Sequence, residues 1–458
     1  MWNGSLSENV RFGLLLGLLA VLFLMGGASR LDVTSLILLQ PIAAACAIVV
    51  LLIASPIDWP SVRAPLLFLG SLAGLMAAQL IPLPPSVWTK LAGHAPFAQT
   101  AAVAGLAQPW RPMSLTPDLT LASLVGLVVP AAVLIAFAGI GRAQRRVLLV
   151  ALLLGTAASA VFALGQISGG DQSPAYTYSI TNFGSAVGLF ANRNHQAALI
   201  AMAWPMLAVW ATLPRRDPRQ RAATRWIGGG FALFLLPLLL VTGSRSGLVL
   251  GVIGLACAAF IMRLRGHSAD RAQGASNRLF TIAIALGAVL LIAASIVLSR
   301  AQAVLRVLAL DMGDDTRTQA LPTLLKIVWD FFPVGSGFGS FDPVYRFYEP
   351  LELLDTEYLN HAHNDLLELV MTAGLPGALL LALFLIWFVR QSFKAWRTQE
   401  FGDDRAVARA GSVIVFIALL SSLVDYPLRT PLMMAIFAIA CGWLADIGRG
   451  DRSRPNVV

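Results

Sequence analysis

Charge interrupts this chain so rarely that windows of about 20 apolar residues recur along almost its whole length. A helix needs that length to cross roughly 30 Å of hydrocarbon. Twelve windows qualify: about 11–28, 33–54, 64–83, 119–141, 146–167, 195–213, 226–242, 246–263, 279–299, 365–389, 411–425 and 431–447. They predict an all-α integral membrane protein with about twelve transmembrane helices. Composition agrees, because only 12% of the 458 residues are charged, where a soluble domain carries about one quarter.

Lysine and arginine bias sets the expected orientation. With the N-terminus cytoplasmic, inward loops hold 22 of the 33 basic residues, concentrated in RAQRR (142–146), RRDPRQRAATR (215–225), RLRGHSADR (263–271) and the tail. Both termini are therefore expected in the cytoplasm. The formal charge of +9 is mostly this bias. It is no nucleic-acid footprint, since no basic helix or aromatic-basic alternation accompanies it.

The first window is long for a signal-peptide core and follows a single arginine, so a retained anchor is expected. Cys46, Cys257 and Cys441 all fall inside windows, without disulfide or metal-ligand spacing, and read as small core residues. No internal repeat is visible.

Two outward loops are long. Residues 84–118 carry PLPPSVW and read as an ordered connection without a chemical signal. Within 300–364, Leu321, Leu324, Leu325, Val328, Trp329 and Phe332 recur at helical spacing. This predicts an amphipathic helix that lies along the interface or caps a cavity.

Several polar residues are not explained by membrane crossing. Four of the five histidines (His94, His195, His361 and His363) fall on the outward side, with His267 inside. Arg193 sits in FANRNHQAAL, Arg245 in VTGSRSGLVL and Arg317 in DDTRTQAL. An arginine at a helix end ordinarily snorkels to the interface. Arg245, however, occupies a tight turn flanked by Gly243, Ser244, Ser246 and Gly247, which permits close backbone approach. Arg193 has Asn192, Asn194 and His195 around it. A guanidinium presents a rigid fork of donors matched to phosphate or carboxylate.

The stretch NHAHNDLLELVMTAGLPG (360–377) enters the tenth window. Asn364 or Asp365 suits a helix N-cap. His361 and His363 either decorate that cap or supply a general base, since an unperturbed imidazole titrates near 6.5. Arginines that hold an anion and a histidine that takes a proton make a workable transfer site.

These residues resemble the O-antigen ligase and O-antigen polymerase superfamily. The resemblance rests on Asn-Arg-Asn-His at 192–195, Gly-Ser-Arg-Ser-Gly at 243–247, and His363-Asn364 followed after nine residues by Gly374-x-x-Gly377. PVGSGFGSF (333–341) and SLVDYPLRTP (422–431) add to it, so it covers roughly 180–440. It implies a GT-C-like, metal-independent glycosyltransferase without a cofactor. Such an enzyme moves a glycan from an undecaprenyl diphosphate carrier to a glycan or lipid A-core acceptor, at the periplasmic face of a bacterial inner membrane. Carried over, Arg193 and Arg245 clamp the diphosphate, Arg317 is a weaker third contact, and His363 activates the acceptor. Asn192, Asn194, His195, Ser244, Ser246, His361 and Asn364 support them. Gly374 and Gly377, with Pro376, let the tenth helix bend behind the histidine. The expected organisation is five membrane helices over 1–167, a ligase/polymerase-like core over 168–447 with periplasmic loop 300–364, and a cytoplasmic tail over 448–458.

Competing signals are weaker. Gly335-x-Gly337-x-Gly339 lacks the strand–turn–helix context of a nucleotide loop and reads as tight turns. Asp311, Asp314 and Asp315 read as a solvated loop edge rather than a metal site. Asp425 and Arg429 read as a structural ion pair. A ligase and a chain-extending polymerase share the same arginines and histidine. A transporter of an anionic lipid or solute would instead show inverted repeats and polar groups near mid-bilayer.

Overall fold

The computed structural model describes residues 5–30, 33–215, 217–266, 316–354, 359–397 and 402–447. Its helices are α1 (Leu6–Met25), α2 (Ser35–Leu52), α3 (Arg63–Gln79), the short α4 (Pro85–Trp88) and α5 (Ala95–Val103), α6 (Pro117–Gly126), α7 (Val128–Ala138) and α8 (Arg142–Gly169). They continue with α9 (Arg193–Thr212), α10 (Pro218–Val241), α11 (Arg245–Gly266), α12 (Thr316–Phe331), α13 (Phe341–Tyr348), α14 (Asp365–Trp396), α15 (Asp403–Ser421) and α16 (Pro431–Ala445).

Eleven of the twelve expected windows coincide with helix, and the fourth is divided between α6 and α7. The ninth, 279–299, lies outside the described residues, as do Asp311, Asp314, Asp315, His267 and the tail 448–458. Among the described residues, seven helices are long and apolar enough to cross a membrane. Helix α3 falls short with 17 residues. The polar first turn of α9, Arg-Asn-His-Gln, lowers its hydropathy. That turn belongs to the site described below.

Helix α9 is the hub of the bundle: every residue from His195 to Val209 is buried. Its small side chains admit α11 at close range. A Cβ on Gly247 would stand 2.3 Å from the Ala197 Cβ, and one on Gly254 would stand 2.4 Å from the Ala201 carbonyl oxygen. Small residues at such a seam let helix backbones approach. Residues 197 and 201 meet 247 and 254 in the same order, so α9 and α11 run parallel and start at the same end.

The expected amphipathic helix exists as α12, and the structure shows which side meets the core. Ala320, Leu324, Ile327 and Phe331 pack inward with Phe341, Val344 and Tyr345 of α13. Leu321, Leu325, Trp329 and Phe332 stay exposed, Trp329 most of all. The loop 84–118, expected to carry no chemical signal, has a structural task. Strand β1 (Pro82–Leu83), just before it, pairs antiparallel with β2 (Arg111–Pro112) within it, and Ser114 and Leu119 after β2 lie against the glycines of 333–341. A Cβ on Gly337 would stand 2.1 Å from the Ser114 hydroxyl, and one on Gly339 would stand 2.6 Å from the Leu119 Cβ. Gly335, Gly337 and Gly339 all have positive φ, so this run is a set of tight turns.

Helix α14 breaks where the glycine spacing leads one to expect a bend. Gly374 has φ 57° and ψ −145°. The break frees carbonyls inside the bundle, and donors from outside the helix reach two of them. Ser336 N–H donates to the Met371 carbonyl (3.1 Å), Gly337 N–H to the Thr372 carbonyl (2.9 Å), and the Gln79 amide to the same Thr372 oxygen (2.8 Å). On the far side, Leu375 N–H donates to the Pro333 carbonyl (2.8 Å). Buried backbone groups need such partners. The 333–341 motif therefore splices the broken helix.

Candidate active site

The site is assembled from helix starts. Asn192 caps α9, its side-chain oxygen accepting from Asn194 N–H at 2.8 Å. Ser244 caps α11 through Gly247 N–H at 2.9 Å. Asn364 caps α14 through Leu367 N–H at 2.9 Å. The 422–430 segment between α15 and α16 ties the starts of α9 and α14 together, Asp425 accepting from the Asn194 amide and Asp365 N–H donating to the Ser422 carbonyl at 2.9 Å. Four helices thus present their N-terminal ends, with partial positive charge, toward one end of the bundle.

Asp425 is the centre of one cluster and is fully buried. Its carboxylate accepts from the amides of Asn194 (2.6 Å) and Asn192 (3.4 Å) and from the backbone N–H of Tyr426 (2.9 Å). His363 Nδ1 stands 3.5 Å away and His195 Nε2 3.9 Å away. Residues from three distant stretches therefore share one carboxylate. His363 itself has φ 48°, a region that costs a non-glycine residue about 1–3 kcal/mol and recurs where a side chain must be aimed.

A second cluster surrounds Arg429. Its guanidinium lies 3.0 Å from Asp365 and 3.1 Å from Glu368. Glu368 also meets His361 Nδ1 at 3.2 Å and accepts from Ala362 N–H at 2.9 Å. Burial alone would lower the Arg429 pKa, but Glu368 and Asp365 outweigh it and raise it above the ordinary arginine value. The expected Asp425–Arg429 pair is thus replaced by two separate networks, because Pro427 turns the chain between them. The Tyr426 ring packs against both histidines, with centroids 4.7 Å from His361 and 4.8 Å from His363.

The structure therefore brings together Asn192, Asn194, His195 and His363. It places Arg193 and Arg245, both half-buried, at the first positions of parallel, closely packed helices. Ser244 is committed to its cap and lies 3.3 Å from the Ser246 hydroxyl. Arg317 falls in the first turn of α12, and its side chain lies outside the described set. His361 and His363 each have their own carboxylate. Sequence reading missed Asp425, Tyr426, Glu368 and Asp365 as site members. The available signal was an aspartate in the apolar run SLVDYP, since ionisable residues within membrane helices mark function or pairing.

Beside the second cluster lies a cavity of about 650 Å³, bordered by His361, Asp365 and Arg429 at its polar end and by α3, α6, α7, α14 and α16 along its length.

Fold and site together define a multi-pass helical membrane protein with half-buried histidines against buried carboxylates at one end. Residues 230–382 match the family model described as O-Antigen ligase, and the match supports placing the chain in the O-antigen ligase superfamily. It likewise supports a glycosyltransferase-type enzyme of the O-antigen ligase kind, with lipid-linked glycan and polysaccharide substrates in general. A search of curated proteins finds no match.

Proposed function

We propose that this protein transfers a glycan from an undecaprenyl diphosphate carrier to an acceptor hydroxyl at the periplasmic face of the bacterial inner membrane. The acceptor oxygen bonds to the anomeric carbon as that carbon's bond to the diphosphate oxygen breaks. His363 takes the hydroxyl proton, and the diphosphate leaves with the bonding electrons. Arg193 and Arg245 meet its growing charge, Arg317 adds a third cation, and no metal ion is required. Preorganised cations and helix N-termini suit a leaving group whose charge develops in the transition state.

The observation that carries this reading is the His363–Asp425 pair, 3.5 Å apart, on the carboxylate that also binds the first turn of α9. A histidine whose Nδ1 faces a carboxylate keeps its other nitrogen for an incoming proton. The carboxylate, by also holding Asn192 and Asn194, fixes the base relative to Arg193.

A purified transfer assay with lipid-linked donor tests it. Arg245→Ala and His363→Ala should lose transfer at matched membrane abundance, and near-normal rates in both would remove the assigned roles. The glycan profile of a deletion strain separates ligase from polymerase. Loss of a ligase leaves long lipid-linked polymer and a bare acceptor, whereas loss of a polymerase leaves single repeat units still transferred.

A further inference from the structure

One oxygen of Asp425 serves two histidines. His363 Nδ1 stands 3.5 Å and His195 Nε2 3.9 Å from the same Oδ1, which also accepts from the Tyr426 N–H at 2.9 Å. The amides of Asn192 and Asn194 occupy Oδ2. His195 is 1% exposed, whereas His363 keeps 13% of its side chain exposed. Tyr426 packs against both rings, at 5.6 Å from His195 and 4.8 Å from His363, and Phe190 packs against His195 at 6.0 Å. The neighbouring charges have other places. Arg429 is bound to Asp365 and Glu368, and Glu368 also holds His361. Arg193 and Arg245 begin α9 and α11. One buried negative charge thus faces two imidazoles, of which the proposed transfer uses only one.

We propose that His195 is a positioning residue for the base: it competes with His363 for Asp425 and so keeps His363 free of a proton until the acceptor hydroxyl arrives. This rests on the transferase reading and adds the device that readies its base. A buried carboxylate draws a proton onto a neighbouring imidazole, because opposite charge favours the protonated form. With His363 alone beside Asp425, that pull would fill the base before catalysis, since an imidazolium has no acceptor nitrogen left. With His195 on the same oxygen, the two rings share the pull. A proton on one repels a proton on the other, and the pair titrates as a unit. A proton held by the buried ring of His195 satisfies Asp425 and leaves His363 neutral.

The test reads His363 directly, in the whole protein in nanodiscs. Diethyl pyrocarbonate acylates neutral imidazole, and fragment-ion mass spectrometry gives the modified fraction at each histidine between about pH 5 and about pH 8. His361, paired with Glu368, is the internal reference. In the natural sequence the His363 curve should be shallower than a one-proton titration, as coupled sites are, and a one-proton curve there overturns the proposal. His195→Phe keeps a ring beside Phe190 and Tyr426 but removes both nitrogens. It should raise the His363 midpoint by about half to one pH unit, restore a one-proton curve and leave His361 unmoved. His195→Leu should do the same if His195→Phe does not fold. An unmoved or lowered His363 midpoint, or an equal shift at His361, sinks the competition; a merely structural His195 gives that result with a lower thermal midpoint. In the transfer assay the acid limb of kcat/KM should rise with the His363 midpoint, and a fixed limb removes His195 from the reaction. Modification needs no turnover, so it stands apart from the transferase reading, which fails instead if transfer survives both Arg245→Ala and His363→Ala.

Discussion

The two ends of the helical bundle both bury charge, and they do so in opposite ways. At the end away from the histidines, Arg11 is fully buried and donates to the carbonyls of Ile53 (2.8 Å), Ser55 (2.8 Å), Pro56 (3.1 Å) and Gly139 (3.4 Å). Arg145 pairs with Asp446 at 2.8 Å and Asp58 at 3.3 Å, and it donates to the Phe137 and Ile140 carbonyls. These guanidiniums close loops and helix ends upon themselves. At the histidine end, imidazoles face single carboxylates, two arginines stand half-buried at helix starts, and a cavity reaches the cluster. Burial of charge is therefore not by itself a mark of chemistry. The mark is burial that leaves donors and protonatable groups facing space that a substrate can fill.

Substitutions at the two ends should separate activity from stability. The largest effect is expected from His363→Ala, with transfer reduced about a hundred- to ten-thousand-fold and the thermal midpoint held in a detergent melt. Arg245→Ala should follow, with kcat lowered about a hundred- to a thousand-fold. The mirror-image result belongs to Arg145→Met at the other end. Removing one partner of a buried ion pair costs about 3–5 kcal/mol, read as a lower unfolding midpoint and reduced membrane abundance, while activity per folded molecule is retained. If Arg145→Met instead abolishes turnover in protein that melts normally, the contrast between the ends fails. Asp425→Asn, which keeps shape but removes charge, should slow transfer about ten- to a hundred-fold with the amide contacts to α9 weakened. Smallest is Ser244→Ala, loss of a helix cap worth about 1 kcal/mol, which should lower the melting temperature slightly and leave KM within about twofold.

Much of the bundle was legible because apolar length is a strong one-dimensional signal, and the eleven described windows all became helix. The cap at Asn364 and the break at Gly374 were legible too, because each follows from local backbone chemistry. The networks were harder. Nothing in the order of residues says that Asp425 turns toward His363 while Arg429, four positions on, turns toward Asp365 and Glu368. Pro427 decides this by redirecting the chain, and its effect appears only in three dimensions. Helix α12 itself was legible, but which of its sides meets the core was not. Both of its sides are apolar, and periodicity alone cannot say which one finds α13.

The splice at Gly374 has a consequence for how this chain can vary. Between Phe331 and Phe341, each backbone hydrogen bond into α14 requires a particular residue at a particular place, so the interval works as a ruler of fixed length. One added or deleted residue there would strand carbonyls of Met371 and Thr372 in a nonpolar interior, where an unmet backbone group costs several kcal/mol. Length variation between relatives should thus be absent from this short interval, whatever is gained or lost on either side of it.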